Sequence, residues 1–249
     1  MTSAILITGA SQGIGAATAR LLAARGHSLL VHCAHRPDLA QAVADECRAL
    51  GAPQVHVHQA DLADETAVLG LFAAADQHLP ALNGLVNNAG IVDQSARLDA
   101  MSAERIQRMM AINVIAPMLC AREAVRRMST RHGGRGGVIV NVSSSAVRSG
   151  SPALYVDYAA SKGAIDVFTS GLAKEVAGEG VRVCAVRPGV TDTAIHASGG
   201  EPDRVAQISP QLPMGRAAQP AEVGEAIVWL LSDAASYTAG AILDVSGAR

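Results

Sequence analysis

Short apolar runs near residues 4–8, 28–33, 54–59, 83–88, 137–142, 181–187 and 240–245 alternate along the chain with longer stretches whose apolar positions recur at helical spacing. The helical stretches lie near 13–25, 38–50, 64–79, 102–131, 153–178 and 220–232. Strands apolar on both faces are buried from two sides, and their alternation with helices predicts βαβ units around a parallel sheet. The expected fold class is α/β, a single domain over 1–249 with a doubly wound parallel sheet of about seven strands and helices on both faces. Strict alternation in Gln54-Val55-His56-Val57-His58 points both histidines to one side of a strand, with no third metal ligand evident. The Gly- and Pro-rich stretch from Ala194 to Gln219 interrupts the pattern late, and residues 194–213 are expected to form a substrate loop, not a domain boundary.

Composition narrows the picture. Hydrophobic residues make up 49% of the chain but aromatics only 2%, so the core is built from Ala, Val, Leu and Ile. A net charge of −2 gives no field that would gather nucleic acid or an anionic membrane. The one basic cluster, Arg126, Arg127, Arg131, His132 and Arg135, falls at a predicted helix end, where cations favour the dipole and water. Cys33, Cys47, Cys120 and Cys184 are widely spaced, which suits free buried thiols in a reducing, cytoplasmic setting. The apolar start Ala4-Ile5-Leu6-Ile7 lacks a basic flank and runs into glycines, so it reads as a strand and not a signal peptide. No segment reaches the ~18 apolar residues of a membrane span.

Two motifs carry chemistry. Thr8-Gly9-Ala10-Ser11-Gln12-Gly13-Ile14-Gly15 follows the first strand and opens the first helix. There, glycines let backbone approach a pyrophosphate and the helix start offers free N–H donors. Tyr158 and Lys162 stand four apart, one helical turn, on one face. A phenol is a poor acid or base at neutrality, and a neighbouring ammonium favours its ionised form. With Asn87-Asn88-Ala89-Gly90 after the fourth strand standing between them, the GxxxGxG of the first motif and the YxxxK of the second make three features in order, by which the chain resembles the classical short-chain dehydrogenase/reductases over essentially its whole length.

That resemblance implies a Rossmann-like fold and an NAD(P)-dependent oxidoreductase that interconverts a ketone and a secondary alcohol by hydride transfer, with no metal. It assigns Gly9, Ser11, Gln12, Gly13, Ile14 and Gly15 to the cofactor's phosphates, Asp61 and Leu62 to its adenine, and Asn88, Ala89 and Gly90 to the same cleft. After the sixth strand, Pro188, Gly189, Thr191 and Thr193 match the segment that meets the nicotinamide end. In the family an acidic residue after the second strand selects NAD. Here the segment reads His32-Cys33-Ala34-His35-Arg36, so His35 and Arg36 would receive a 2′-phosphate, and NADP(H) is favoured with NAD(H) possible.

By the same resemblance Tyr158 gives the proton, Lys162 also holds the nicotinamide ribose, and Asn113 completes a water-mediated proton path. A serine from Ser143-Ser144-Ser145 steadies the developing oxyanion. Counting thirteen residues back from the tyrosine selects Ser145, whereas aligning Asn141-Val142-Ser143-Ser144 from the strand side selects Ser144 and puts an extra residue within 151–157, where insertion costs little. We take Ser144. Tyr155, Asp157, His196, Glu201 and Asp203 are further pocket candidates. The alternatives are a 3-ketoacyl thioester reductase serving an acyl carrier protein, with Arg148, Arg204 and Arg216 as a docking patch, or a noncatalytic dinucleotide-binding regulator. The expected partner is a small carbonyl or alcohol substrate, and family analogy implies a homotetramer.

Overall fold

The computed structural model describes residues 3–249. Its strands are β1 (Ala4–Ile7), β2 (Ser28–Cys33), β3 (Val55–Gln59), β4 (Leu82–Asn87), β5 (Gly137–Val142), β6 (Val181–Pro188) and β7 (Ile242–Val245). They form one parallel sheet in the order β3-β2-β1-β4-β5-β6-β7. Around it run α1 (Gly13–Ala23), α2 (Pro37–Ala49), α3 (Glu65–His78), α4 (Ala103–Met110), α5 (Ala116–Met128), α6 (Ala146–Ser149), α7 (Val156–Val176), α8 (Ile195–Ser198), α9 (Arg204–Ile208) and α10 (Pro220–Leu231). The doubly wound α/β architecture expected from the pattern is the one observed.

Side chains alternate across a strand, so β1 feeds two cores. Ile5 and Ile7 join Ala16, Leu22 and Ile227 of α1 and α10 on one face, while Leu6 joins Leu71 and Phe72 of α3 and Cys120 of α5 on the other. The alanines of α1, α5 and α10 let helices lie close to the sheet where larger aromatic side chains would hold them off. The strand order reverses between β1 and β4, and a crevice opens outside the carboxyl ends of the strands at such a switch point.

Two helical stretches differ from expectation. The run over 102–131 is not one regular helix, because a π turn, Ala111–Ile115, separates α4 from α5. Pro117 lacks the N–H that an α-helix would direct to the Asn113 carbonyl, which accounts for the irregular ladder at this point. The run from 153 begins its helix only at Val156, since Ser151 (φ 46°) and Ala153 (φ 58°) form a left-handed turn before it. This strained turn lies within the segment to which the motif spacing assigns an extra residue. Residues 194–213 hold α8 and α9, two short helices, and not an extended loop.

The basic helix end is neutralised in part, Arg126 and Arg127 pairing with Glu123 and Arg127 with Asp76. His56 stacks on His78 with ring centroids 3.8 Å apart, and no group of three metal-ligating side chains is assembled among the described residues. All four cysteines are buried and unpaired, and no described helix is long and apolar enough to cross a membrane.

Candidate active site

The loops after β1, β2, β3, β4, β5 and β6 surround a cleft of about 880 Å³ at the carboxyl edge of the sheet. The turn after β1 lines it with two glycines among Ser11, Gln12 and Ile14. Gly9 (φ +64°) and Gly13 (φ +58°) occupy left-handed conformations that other residues rarely adopt. A Cβ on Gly15 would stand 2.5 Å from the Gly9 carbonyl and 2.6 Å from the Asn88 amide. Gly15 is thus a packing glycine behind the cleft, whereas Gly9, Ser11, Gln12, Gly13 and Ile14 line it. No side chain caps α1, whose first backbone bond is Ala16 N–H to the Gln12 carbonyl, so the preceding helix N–H groups lie toward the cleft.

Two residues with no assigned role hold this turn in place. Buried Thr8 accepts at its hydroxyl from the N–H groups of Asn88 and Ala89, both at 3.0 Å. Buried His32 accepts the Gly9 N–H at Nδ1 (3.0 Å) and donates from Nε2 to the Ala60 carbonyl (2.9 Å), which fixes its neutral tautomer. Burial, the largest cause, lowers the His32 pKa to about 4, against a weaker upward pull from that Ala60 bond. Asn88 closes the knot by donating to the Thr8 and Gly9 carbonyls at 2.9 and 2.8 Å. Nothing in the local motif announces these bonds except that polar residues stand at the ends of apolar strands.

At the adenine-side rim, His35, Arg36, Asp61 and Leu62 all line the cleft. Asp61 takes the Ala63 N–H (3.1 Å), and Asp64 caps α3 by accepting from Thr66 (2.9 Å). Arg36 is engaged by Asp38 through two bonds of 3.1 and 2.8 Å, in an exposed pair two residues beyond the segment that lacked a carboxylate. Across the cleft Pro188, Gly189, Thr191 and Thr193 follow β6, and the Thr193 methyl would lie 3.2 Å from a Cβ on Gly13.

Ser144, Ser145, Tyr158 and Lys162 converge on the same cleft, at the end where β5 stops and α7 starts. Lys162 is buried; its Nζ donates to the Val142 carbonyl (2.8 Å) and lies 5.7 Å from the centre of the Tyr158 ring. Burial lowers the lysine pKa to about 8, and Asp166 one turn further along α7 pulls it upward. Tyr158 does not have the lowered pKa expected from its lysine neighbour. Withdrawal from water is the larger effect and raises the phenol above its ordinary value, while the facing Ser144 hydroxyl draws it down. Ser144 also accepts the Ala146 N–H (3.1 Å), whereas Ser143 is turned into the core onto the Lys162 carbonyl.

Asn113 is fully buried in the π turn and does not line the cleft. Its side chain accepts the Ile91 N–H (2.8 Å) and donates to the Ile91 carbonyl (2.9 Å) and to Ser161 (3.1 Å), bolting the segment after β4 to α7. A polar ladder runs below, from Asn87 to Asn141 (3.0 Å) and on to Thr169 (2.8 Å). Of the other pocket candidates, Tyr155 and His196 reach the cleft, but Asp157, Glu201 and Asp203 do not. Asp157 instead takes two bonds from Arg105 of α4, at 2.8 and 3.2 Å, in a buried ion pair.

A parallel sheet with this crevice and this cluster of polar side chains is the arrangement of a Rossmann-fold oxidoreductase. A family model described as short chain dehydrogenase matches residues 3–203, and the chain belongs to that family of enzymes acting on CH–OH donors. It is 51% identical to the uncharacterized oxidoreductase YgfF of Escherichia coli (strain K12), with 98% of each chain covered. It is 40% identical to cis-4-hydroxycyclohexanecarboxylate dehydrogenase of Sinomonas cyclohexanicum, covering 97% of this chain and 94% of that one. Among solved structures it superposes on the 3-ketoacyl-(acyl-carrier-protein) reductase of Brucella melitensis, crystallised with NADH, with a TM-score of 0.91 at 29% identity over 99% of this chain and 98% of that one.

Proposed function

We propose that this protein interconverts a ketone and a secondary alcohol with a nicotinamide dinucleotide, NADP(H) ahead of NAD(H). The observation that carries the reading is the convergence of Ser144, Tyr158 and Lys162 on the cleft that the glycine turn also lines. Left-handed glycines and the uncapped start of α1 suit a pyrophosphate held by backbone N–H groups. Gly9, Ser11, Gln12, Gly13 and Ile14 would hold it, with Asp61 and Leu62 at the adenine and Thr191 and Thr193 at the other end. When bound, the dinucleotide supplies or accepts the hydride.

The chain's own part is the proton and the charge. At neutral pH the Tyr158 phenol keeps its proton and can give it to a carbonyl oxygen, while Ser144 donates a hydrogen bond to the charge that develops there. Lys162, held by the Val142 carbonyl, places an ammonium near the phenol that can favour the phenolate left behind. Asn113 acts by position, fixing the backbone of Ile91 that borders the cleft.

The NADP(H) preference rests on His35 and Arg36 at the rim. The Arg36–Asp38 pair is exposed and screened by water, so a 2′-phosphate can compete for the guanidinium. Binding by NAD(H) is supported by that same engagement of Arg36. A docking patch for a carrier protein finds less support, since Arg148 at the cleft is paired with Asp244, and Arg216, paired with Glu222, does not line the cleft. The hydroxycyclohexanecarboxylate named for the Sinomonas relative gives a starting point for substrates. A cytoplasmic location and a tetrameric assembly belong to the same reading.

Titration with NADPH and NADH by nicotinamide fluorescence, followed by a panel of ketones, ketoacyl thioesters and sugars, tests it. Tight binding with turnover of a ketone is the expected result. Failure to bind either dinucleotide would overturn the reading, and Ser144→Ala beside Ser145→Ala decides the serine by which one loses activity.

A further inference from the structure

The end of the cleft bounded by α4, α6 and α9 is more cationic than ketone reduction requires. Arg108, Arg148 and Arg204 line the cleft, although the whole chain carries a net charge of −2. Among the described residues the acidic side chains that line it are Asp61, beside β3 at the other end, and Glu104. Glu201 and Asp244, the partners of Arg204 and Arg148, stand behind the wall and not on it.

Arg204 is the best placed of the three. Its side chain is 19% exposed, and its guanidinium carbon lies 5.5 Å from the centre of the Tyr155 ring, a cation–π contact that holds the guanidinium over the ring. Tyr155 and Tyr158 are three apart at the start of α7, on one face, and both line the cleft. The guanidinium spends one nitrogen, Nη1, on Glu201; among the described residues its Nε and Nη2 have no protein acceptor. Glu201 is itself shared, facing the Tyr155 phenol and Ser95 as well as the arginine. A guanidinium carries five donors in a fixed fork, so the edge left open has the geometry of a carboxylate site.

We propose that the substrate carries a carboxylate, received by the open edge of Arg204 while the reacting carbon sits at Tyr158. The inference rests on the oxidoreductase reading of the same cleft and adds the substrate class. It makes Arg204 a specificity residue, with Tyr155 beneath it and Glu201 behind it keeping the fork in one orientation.

The test separates binding from turnover. Cyclohexanecarboxylate and its methyl ester, neither of which carries a ketone, are titrated calorimetrically into the protein saturated with its oxidised dinucleotide. The acid is expected to bind at least ~10-fold more tightly than the ester, in line with a charge-assisted hydrogen bond. Arg204→Ala should bring the acid to the level of the ester and leave the ester within about twofold, and Arg204→Lys should restore part of the difference. Equal binding of acid and ester by the unaltered protein would overturn the proposal, as would an equal loss of both in Arg204→Ala, which marks a merely structural role. Reduction of neutral ketones is scored separately: turnover without any preference for the acid sinks the carboxylate site and leaves the oxidoreductase reading standing.

Discussion

The two ends of the cleft are built from different materials. The turn after β1 presents glycine backbone between Ser11, Gln12 and Ile14, with Gly9 and Gly15 where an added Cβ would collide and with Thr8, His32 and Asn88 tied into it from behind. The opposite end presents side chains, Ser144 from the loop after β5, Tyr155, Tyr158 and Lys162 from the start of α7, and Arg204 from α9. Backbone donors do not titrate and tolerate no added atoms, which suits a ligand whose phosphates never vary. Side chains titrate and can be exchanged one at a time, which suits chemistry and a substrate that differs between relatives.

Removing one atom from the second end is the sharpest test of that division. Tyr158→Phe is expected to lower turnover by at least ~100-fold with dinucleotide affinity within about twofold, measured by steady-state kinetics and fluorescence titration. Normal turnover would remove the phenol from the mechanism.

Adding one methyl to the first end is the complement. The Cβ of Gly15→Ala meets backbone at 2.5 Å, and overpacking of that kind costs ~1–3 kcal/mol, so dinucleotide affinity should fall about tenfold and the melting temperature with it. Gly70→Ala on α3, where a Cβ meets nothing within 4 Å, should instead raise stability by ~0.4–1 kcal/mol.

The Arg105–Asp157 pair braces the start of α7 behind Tyr158. Arg105→Ala leaves a buried carboxylate without its partner and is expected to cost ~3 kcal/mol in denaturant unfolding, with turnover reduced more than dinucleotide binding. Equal losses in both would mean that the brace serves the whole cleft.

The smallest effect is on pH. Lys162 titrates near 8 when folded and near the ordinary lysine value when unfolded, so between these values the unfolded chain binds the extra proton. Stability from this group therefore rises with pH across that window and is reduced below it, and Lys162→Met should flatten that part of the melting curve. The raised phenol keeps ketone reduction supplied with a proton at neutrality, while alcohol oxidation should quicken toward alkaline pH. Dinucleotide affinity should change less than either rate between pH 6 and 9.

The same division explains what the sequence disclosed. Strands β1 to β7 and the three ordered motifs are local patterns, and each was legible because one short segment carries it. The choice of Ser144 over Ser145 was open by one residue, because the counts from the strand and from the tyrosine disagree across 151–157, and both serines line the cleft. The Thr8–Asn88 and Arg105–Asp157 contacts join residues 80 and 52 positions apart, so no periodicity encodes them. Asn113 was singled out by its motif, but the direction of its side chain, away from the cleft and onto Ile91, depends on a turn that helical spacing alone does not reveal. The lowered phenol pKa failed because proximity to a cation was weighed without the desolvation that accompanies a half-buried position.

That π turn has a further consequence. One additional residue in a helix advances every later side chain by about 100° around the axis. Upstream, Arg105 is directed toward α7 and the site; downstream, Cys120 and Ala124 are directed into the core beneath the sheet. A helix of unbroken phase could serve one of these surfaces but not both over this length. The irregular turn acts as a change of gear between the half of the helix that belongs to the enzyme and the half that belongs to the fold.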